Sequence, residues 1–399
     1  MSVLTRRAAL ASAGAATSAV LGRAQSANNR IRIGLIGAGG RGGNHIADLA
    51  GLKDLNVTIG AICDVWRVNR EKSAAAVEKA FGARPRTTSD YRQLLDWKDI
   101  DAVVIATPDF SHPIILKAAV EAGKDAYVEK PFATTFAEAK AAYLAVKNSR
   151  RIVQVGTQRR SDGKFMAAAR LMRAGAIGKV TRVEVAVAFQ EPRWRRPDED
   201  IQPADVDWKA FQMGRIERGF DPRLLREWQL FPETTNGIPG LWMSHFVDLV
   251  PWFLDAPYPA GAVSNGGVFF WKDGRKTSDV FYTLLDYPQD FVFLFGMSLT
   301  NAAGNRCVWY GARGILDCDR WVVSPEGSKM PDRVPAETKI VPEISDSHMH
   351  NFLECLRSRQ APRAGVEAGF SHAVAGIMAA QALEKGRRVR FDEAKLEIL

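Results

Sequence analysis

Cysteine is scarce in this chain of 399 residues: there are four, and no two form a Cys-x-x-Cys pair. That excludes a small disulfide-held scaffold and offers no zinc-ribbon spacing. No apolar run reaches the roughly 20 residues that a membrane-spanning helix requires, so no membrane span is expected. The 33 glycines follow no triplet period, which excludes a collagen-like chain. Wholesale disorder needs low hydrophobicity and high net charge; here 46% of residues are hydrophobic and 25% charged, with a formal charge of only +9. A concentrated basic face, the footprint of nucleic-acid binding, is also missing. The densest basic run (Arg193, Arg195, Arg196) is followed at once by Asp198, Glu199 and Asp200, and reads as a self-neutralising loop. What remains is a globular chain long enough for two or three domains at about 150 residues each.

Residues 1–26 stand apart. They contain Arg6, Arg7 and Arg23 and no acid, followed by a short, weakly apolar stretch rich in Ala and Gly, with small residues near Ala24–Ala27. This is the layout of a secretory signal peptide, and Thr5-Arg6-Arg7-Ala8-Ala9-Leu10 resembles the twin-arginine type. Periplasmic or exported localisation is expected. That compartment permits disulfides, and Cys307 and Cys318, on neighbouring predicted strands, are the pair to watch.

The next segment reads as a nucleotide-binding domain. Ile31–Ile36 is an apolar run suited to a strand buried on both faces. It leads into Gly37-Ala38-Gly39-Gly40-Arg41-Gly42, a helix-forming stretch over 43–52, and a second strand over Val57–Cys63 ending at Asp64. In this pattern Gly37 makes the tight turn, Gly39 admits a pyrophosphate, and Gly42 lets helix and strand pack closely, with Gly40 and Arg41 at the same loop. The helix N-terminus offers free N–H groups to phosphates. Asp64 is placed to accept from the ribose hydroxyls, which favours NAD over NADP; Arg67 nearby leaves NADP open. Further α/β alternation follows, with strands over 102–106, 125–128 and 152–155, implying a doubly wound parallel sheet. Thr107-Pro108-Asp109, Glu129-Lys130-Pro131 and Gly156-Thr157-Gln158-Arg159 each follow such a strand and should edge the cofactor cleft.

With the glycine motif, Asp64, Thr107-Pro108 with His112, and above all Glu129-Lys130-Pro131 in register, the chain resembles the Gfo/Idh/MocA oxidoreductases over about residues 30 to 390. The resemblance implies a Rossmann domain (30–155) and an α+β substrate and oligomerisation domain (156–399) with a large, open, mostly antiparallel sheet. It also implies hydride transfer at a carbinol carbon of a sugar, cyclitol or glycoside. Strands over 180–189, 262–271, 280–287, 291–299, 306–310 and 314–319 fit it. By analogy, a homo-oligomer (dimer or tetramer) covers the open sheet face. The segment 191–236, rich in Pro, Arg and Trp, reads as a substrate-flanking insertion through Trp194, Trp208 and Trp228.

The resemblance assigns cofactor contacts to Thr107, Pro108, His112, Glu129, Lys130 and Gln158. Lys130 matches the lysine near the reacting hydroxyl, with its proton affinity expected to be lowered by burial among cations. His245 matches the acid/base histidine opposite the nicotinamide, and Asp248, three residues on, is placed as its orienting group and a substrate contact. Arg159 and Trp242 complete the expected substrate side. One departure stands out: relatives often carry an Asp four residues before that histidine, where this chain has Leu241. His348 and His350 have metal-like spacing but read as capping and packing residues, as does His372, and no metal is expected. An exported enzyme lacks a ready supply of free NAD, so a tightly held, internally recycled cofactor is expected. Alternatives are an NAD-dependent glycosidase working by oxidation, elimination and reduction, and a sugar- or nucleotide-sensing protein without catalysis.

Overall fold

The computed structural model describes residues 30–197 and 199–399. The signal-peptide segment 1–26 and Asp198 of the basic–acidic run lie outside the described residues. Six strands form the first sheet: β1 (Ile31–Ile36), β2 (Val57–Cys63), β3 (Arg86–Thr88), β4 (Ala102–Ile105), β5 (Asp125–Val128) and β6 (Val153–Val155). Their order is β3-β2-β1-β4-β5-β6, all parallel, so the strand order reverses between β1 and β4. Every residue of β4 and β5 is buried under helices on both faces, including Asp125 at the start of β5, whose carboxylate is met by Arg359 at 2.6 Å.

Helix α1 (Gly40–Ala50) begins inside the glycine motif, three residues earlier than the sequence pattern suggests. Two glycines explain this. Gly37 turns with φ +89°, and a Cβ on Gly42 would sit 2.1 Å from the Gly37 carbonyl oxygen. Only bare backbone permits so sharp a turn with a helix starting against it. The helix has no side-chain cap, which leaves its first N–H groups free towards the cleft.

The centre of the second sheet is β7 (Val180–Ala188), β8 (Gly261–Gly267), β9 (Val280–Tyr287), β10 (Phe291–Ser298) and β11 (Arg306–Gly311). The sheet also includes β12 (Gly314–Asp317), β13 (Val322–Ser324), β14 (Thr338–Lys339), β15 (Val389–Asp392) and β16 (Glu397–Ile398), and among the described residues its ten strands run in the order β14-β13-β12-β11-β7-β10-β9-β8-β15-β16. Only β7 and β10 run parallel. Alternation along β9 and β10 puts Phe281, Leu285, Phe293 and Phe295 in the core and leaves Tyr282, Leu284 and Val292 exposed. The strand expected over 262–271 stops at Gly267, because the Asp279 carboxylate captures the N–H groups of Phe269, Phe270 and Trp271 and turns the chain away. Cys307 and Cys318 lie side by side on this sheet, the Cys318 N–H donating to the Cys307 carbonyl, and both are buried thiols.

The closing segments bind the two sheets together. The helix His348–Ser358 sends Met349, Phe352 and Leu353 into the apolar cluster under β1 and β2, so the chain returns to the first sheet after building the second. The 20-residue helix Val366–Lys385 is buried along most of its length, between the Rossmann sheet edge and β8.

Gly42→Ala should force the glycine turn and the helix apart. We expect about 1–3 kcal/mol of lost stability and weakened nucleotide binding, read by thermal melts with and without added NAD. A variant matching the parent in both would contradict the packing argument.

Candidate active site

The carboxyl ends of the parallel strands open into a cleft of about 1000 Å³. Gly37, Gly39, Gly40, Arg41, Asp64, Thr107, Pro108, His112, Glu129, Lys130 and Gln158 line it on the Rossmann side, with Leu241 and His245 opposite. Space for phosphates is present: a Cβ on Gly40 would meet nothing within 4 Å, and one on Gly39 only Asn69 at 3.6 Å. Asp64 Oδ2 accepts from Ala38 N–H at 2.7 Å and Oδ1 from Trp66 N–H at 2.8 Å, so the acid pins the glycine turn to the end of β2 and retains lone pairs for hydroxyl donors. Burial pushes its pKa up, against those two bonds. Arg67 is turned away from this site, its guanidinium 2.7 Å from Asp205. An open glycine cradle, free helix N–H groups and a ribose-seeking carboxylate fit a dinucleotide.

On the cleft floor, Glu129 ties the helix Gly40–Ala50 and the loop after β6 to the end of β5. It accepts from Arg41 Nε (2.6 Å), His45 Nε2 (2.9 Å) and Gln158 Nε2 (3.1 Å). Burial alone would raise its pKa; His45 and Arg41 overcome that and hold it at about 2. His112 is fully enclosed, with its ring nitrogens 2.8 Å from the Thr107 and Pro131 carbonyls. It ties the loop after β4 to the loop after β5, so its ring nitrogens are engaged by backbone.

Lys130 follows Glu129 and crosses to the second domain, where Nζ donates to the Leu241 carbonyl at 2.8 Å. Its proton affinity is lowered chiefly by burial; Asp109 and Glu129 oppose this and Arg41 adds only a little, so the cationic surroundings expected from the sequence are the minor cause. The position where relatives often carry an Asp thus contributes its backbone. Leu241 lies in a π-helical turn, Pro239–Met243, an irregularity that delivers the chain to this point. His245 makes no hydrogen bond to any described residue. Burial, then Lys130 and Arg159, keep its ring well below the ordinary histidine pKa, so it is neutral at pH 7.

Three expectations on the substrate side are corrected. Arg159 does not line the cleft; its guanidinium lies 3.9 Å above the Phe246 ring and 5.1 Å from that of Phe165. Asp248 does not orient His245: it is buried and forked by Arg160, Nε–Oδ2 2.9 Å and Nη2–Oδ1 3.0 Å, so a structural ion pair consumes it. Trp242 is absent from the cleft lining; its ring packs against Phe189 at 5.1 Å with the Arg193 guanidinium above it. Of the insertion's tryptophans, Trp194 and Trp228 reach the cleft, whereas Trp208 stacks on Phe211 at 4.8 Å. His348 spends its ring on Ser161 and the Val155 carbonyl, and His372 accepts from Phe132 N–H, both in packing roles. His350 lies apart from His348, beside Asp346 and Glu354. Asp109 was passed over as a titrating group. It is buried beside Lys130, accepts from Thr235 Oγ1 at 2.7 Å, and is pushed up to about 7 by burial. Its place directly after Thr107-Pro108 at a strand end was the available signal.

A Rossmann sheet with this cradle, joined to a mostly antiparallel sheet that closes the cleft, defines an NAD(P)-dependent oxidoreductase. A family model described as "Oxidoreductase family, NAD-binding Rossmann fold" matches residues 31–157, and its companion, "Oxidoreductase family, C-terminal alpha/beta domain", matches 169–391. The chain belongs to the Gfo/Idh/MocA oxidoreductase family. It is 26% identical to the oxidoreductase YdgJ of Escherichia coli over 72% of this chain and 70% of that one. It is 30% identical to inositol 2-dehydrogenase of Salmonella typhimurium over 52% of this chain and 65% of that enzyme, just under two thirds of the relative's length. Among solved structures, the fold is shared with the WlbA dehydrogenase of Bordetella pertussis in complex with NADH and UDP-GlcNAcA (TM-score 0.67, 19% identity, 91% of this chain and 98% of that one). It is also shared with levoglucosan dehydrogenase in complex with NADH (TM-score 0.67, 19% identity, 91% and 99%).

Two outcomes test this description. Asp248→Asn strands the buried Arg160 and should cost about 3–5 kcal/mol of stability while leaving substrate KM unchanged; a raised KM at unchanged melting temperature would restore Asp248 to the substrate side. Glu129, with a folded pKa of about 2 against an ordinary 4.5, contributes stability that is complete above pH 4.5 and is lost as pH falls towards 2. Glu129→Gln should flatten that stretch of the stability–pH curve.

Proposed function

We propose that this protein oxidises a carbinol carbon of a sugar, cyclitol or glycoside, with Lys130 and His245 as its catalytic residues and with NAD held through the catalytic cycle. The observation that carries the reading is the convergence of Lys130 and His245, both with lowered proton affinity, on the end of the cleft where the two domains meet. When bound, the nicotinamide supplies the hydride acceptor. The chain supplies a neutral imidazole to take the hydroxyl proton and an ammonium, anchored on the Leu241 carbonyl, to hold the oxygen as charge develops. Inositol 2-dehydrogenase among the relatives supports a polyol substrate.

Retention of the cofactor is supported by the insertion. It folds into a strap whose own apolar cluster includes Phe211, Leu224, Leu230 and Phe231 packed with Phe110. The strap is bonded to the turn beside Asp64: Val206 bridges to Trp66, Asp207 N–H donates to the Val65 carbonyl at 2.9 Å, and Ser89 donates to Asp207 at 2.8 Å. These contacts lie beside Asp64, where the ribose of a dinucleotide would sit, and favour its retention. The twin-arginine segment supports export of the folded protein with its nucleotide inside. The same strap favours a second reading, a redox-neutral glycosidase, because oxidation, elimination and re-reduction within one bound substrate leave a captive cofactor unchanged.

Protein purified without added nucleotide and then denatured should release NAD(H) in about equal amount to the chain. Lys130→Ala and His245→Ala should keep that nucleotide and lose turnover by about 100-fold or more. As His245 acts in its neutral form, oxidation should persist as pH falls through 6.5 and fail only below it. An exchangeable cofactor would overturn retention; full turnover in both variants would overturn the catalytic assignment.

A further inference from the structure

Among the described residues four acids line the cleft, and three are committed. Asp64 spends both oxygens on N–H groups, and Glu129 takes Arg41, His45 and Gln158. Asp90 caps the helix Tyr91–Asp96, beyond the end of β3. Asp109 is different. Its Oδ2 accepts from Thr235 Oγ1 at 2.7 Å, but Oδ1 accepts from no described residue. The residue is only 1% exposed, yet Oδ1 is not among the polar atoms sealed from solvent. The little that Asp109 shows therefore opens on the cleft it lines.

Its setting is fixed from both domains. Phe110 N–H donates to the Thr234 carbonyl at 3.2 Å and holds the loop after β4 against the end of the strap. A Cβ on Gly240 would lie 3.6 Å from Asp109 Oδ2 and 3.2 Å from the Pro131 ring. The next carbonyl, that of Leu241, holds Lys130. Asp109 and Lys130 thus reach the same turn, Pro239–Met243, from two neighbouring strand ends. Opposite charges placed like this would ordinarily pair, but no ion pair joins them. Each keeps bonding capacity instead. The ammonium has three N–H groups and spends one on Leu241; the carboxylate has a whole oxygen free. Burial pushes the Asp109 carboxyl up to about 7, with Lys130 and the Thr235 bond opposing and Glu129 reinforcing it. A donor arriving at Oδ1 would favour the charged form. The group that both accepts from an ammonium and donates to a carboxylate is a hydroxyl. Two N–H groups remain on Lys130, and adjacent carbons of a polyol offer two oxygens.

We propose that the substrate is bound as a vicinal diol: both oxygens accept from Lys130, the reacting carbinol gives its proton to His245, and the neighbouring hydroxyl donates to Asp109 Oδ1. Asp109 is then a specificity-determining residue. It rejects a substrate without the second hydroxyl, because a buried acceptor would be left unmet. This deepens the hydride-transfer reading and rests on it for which carbinol is oxidised.

The test uses the nucleotide-loaded protein with D-glucose and its 2-deoxy, 3-deoxy and 4-deoxy analogues, and D-galactose with 2-deoxy-D-galactose. Binding is followed calorimetrically and cofactor reduction at the nicotinamide absorbance. At least one deoxy analogue should fall about 100-fold or more below its parent sugar in affinity or kcat/KM. Asp109→Asn keeps the shape and removes the charged acceptor; it should shrink that penalty to about threefold or less, with bound nucleotide unchanged. Asp109→Ala, which leaves no buried charge to satisfy, gives the same comparison if the amide variant fails to fold. No deoxy penalty in either series, or a penalty intact in the folded variant, would overturn the proposal. Loss of nucleotide from a folded variant would also overturn it, because the hydroxyl would then belong to the ribose of the cofactor. Deoxy discrimination in binding without cofactor reduction would keep the diol site and overturn hydride transfer. Reduction that ignores the neighbouring hydroxyl would do the reverse.

Discussion

The Glu129 carboxylate sits where three parts of the chain must agree. Arg41 and His45 reach it from the helix behind the glycine turn, Gln158 from the loop after β6, and Lys130 follows it in sequence. Burying a carboxylate is expensive unless its lone pairs are met and its charge opposed. Here both conditions hold, and the arrangement leaves little freedom. Gly156 must be glycine-thin because a Cβ there would stand 2.7 Å from Oε2. The next residue, Lys130, is then launched across the cleft from a fixed base, to find the Leu241 carbonyl.

From that anchor the site is built by unequal treatment of like charges. Arg41, Arg160 and Arg67 have acids of their own, at 2.6, 2.9 and 2.7 Å. Among the described residues the Lys130 ammonium is bonded only to a carbonyl, and Arg159 rests on rings. His245 takes the consequences, its ring nitrogens without a hydrogen-bond partner among the described residues and its proton affinity lowered by burial and by both cations. Paired charges hold the scaffold, whereas Lys130, without an acid bonded to it among the described residues, and the His245 ring line the cleft. The strap from 191 to 236 adds the enclosure that makes those charges count, since field strength rises as water is excluded.

Much of this was legible beforehand because it depends on short-range pattern. Residues Ile31–Ile36 are apolar apart from Arg32, the one exposed position, and lead into Gly37, a pattern that suits a largely buried strand entering a tight turn. The strand limits of β2, β5 and β9 coincide with those read from the sequence for the same reason. The strand that should have run to Trp271 did not, because the carboxylate that ends it belongs to Asp279, just before the next strand, and leaves no local signal. Asp248 misled in the opposite way. Helical spacing placed it near His245, but spacing says nothing of Arg160, 88 residues earlier, which takes both its oxygens.

What the sequence by itself determined is therefore the cradle: Gly37, Gly39, Gly42 and Asp64 act through backbone freedom and strand-end position, which are properties of neighbouring residues. What only the tertiary structure decided is the state of each ionisable group. Whether Arg159 or Arg160 carries a free charge, whether Lys130 meets an acid or a carbonyl, and whether His245 is neutral all follow from burial and from partners drawn from distant segments. Adjacent arginines look alike in sequence. They differ because one lies beside a buried carboxylate and the other between two phenyl rings.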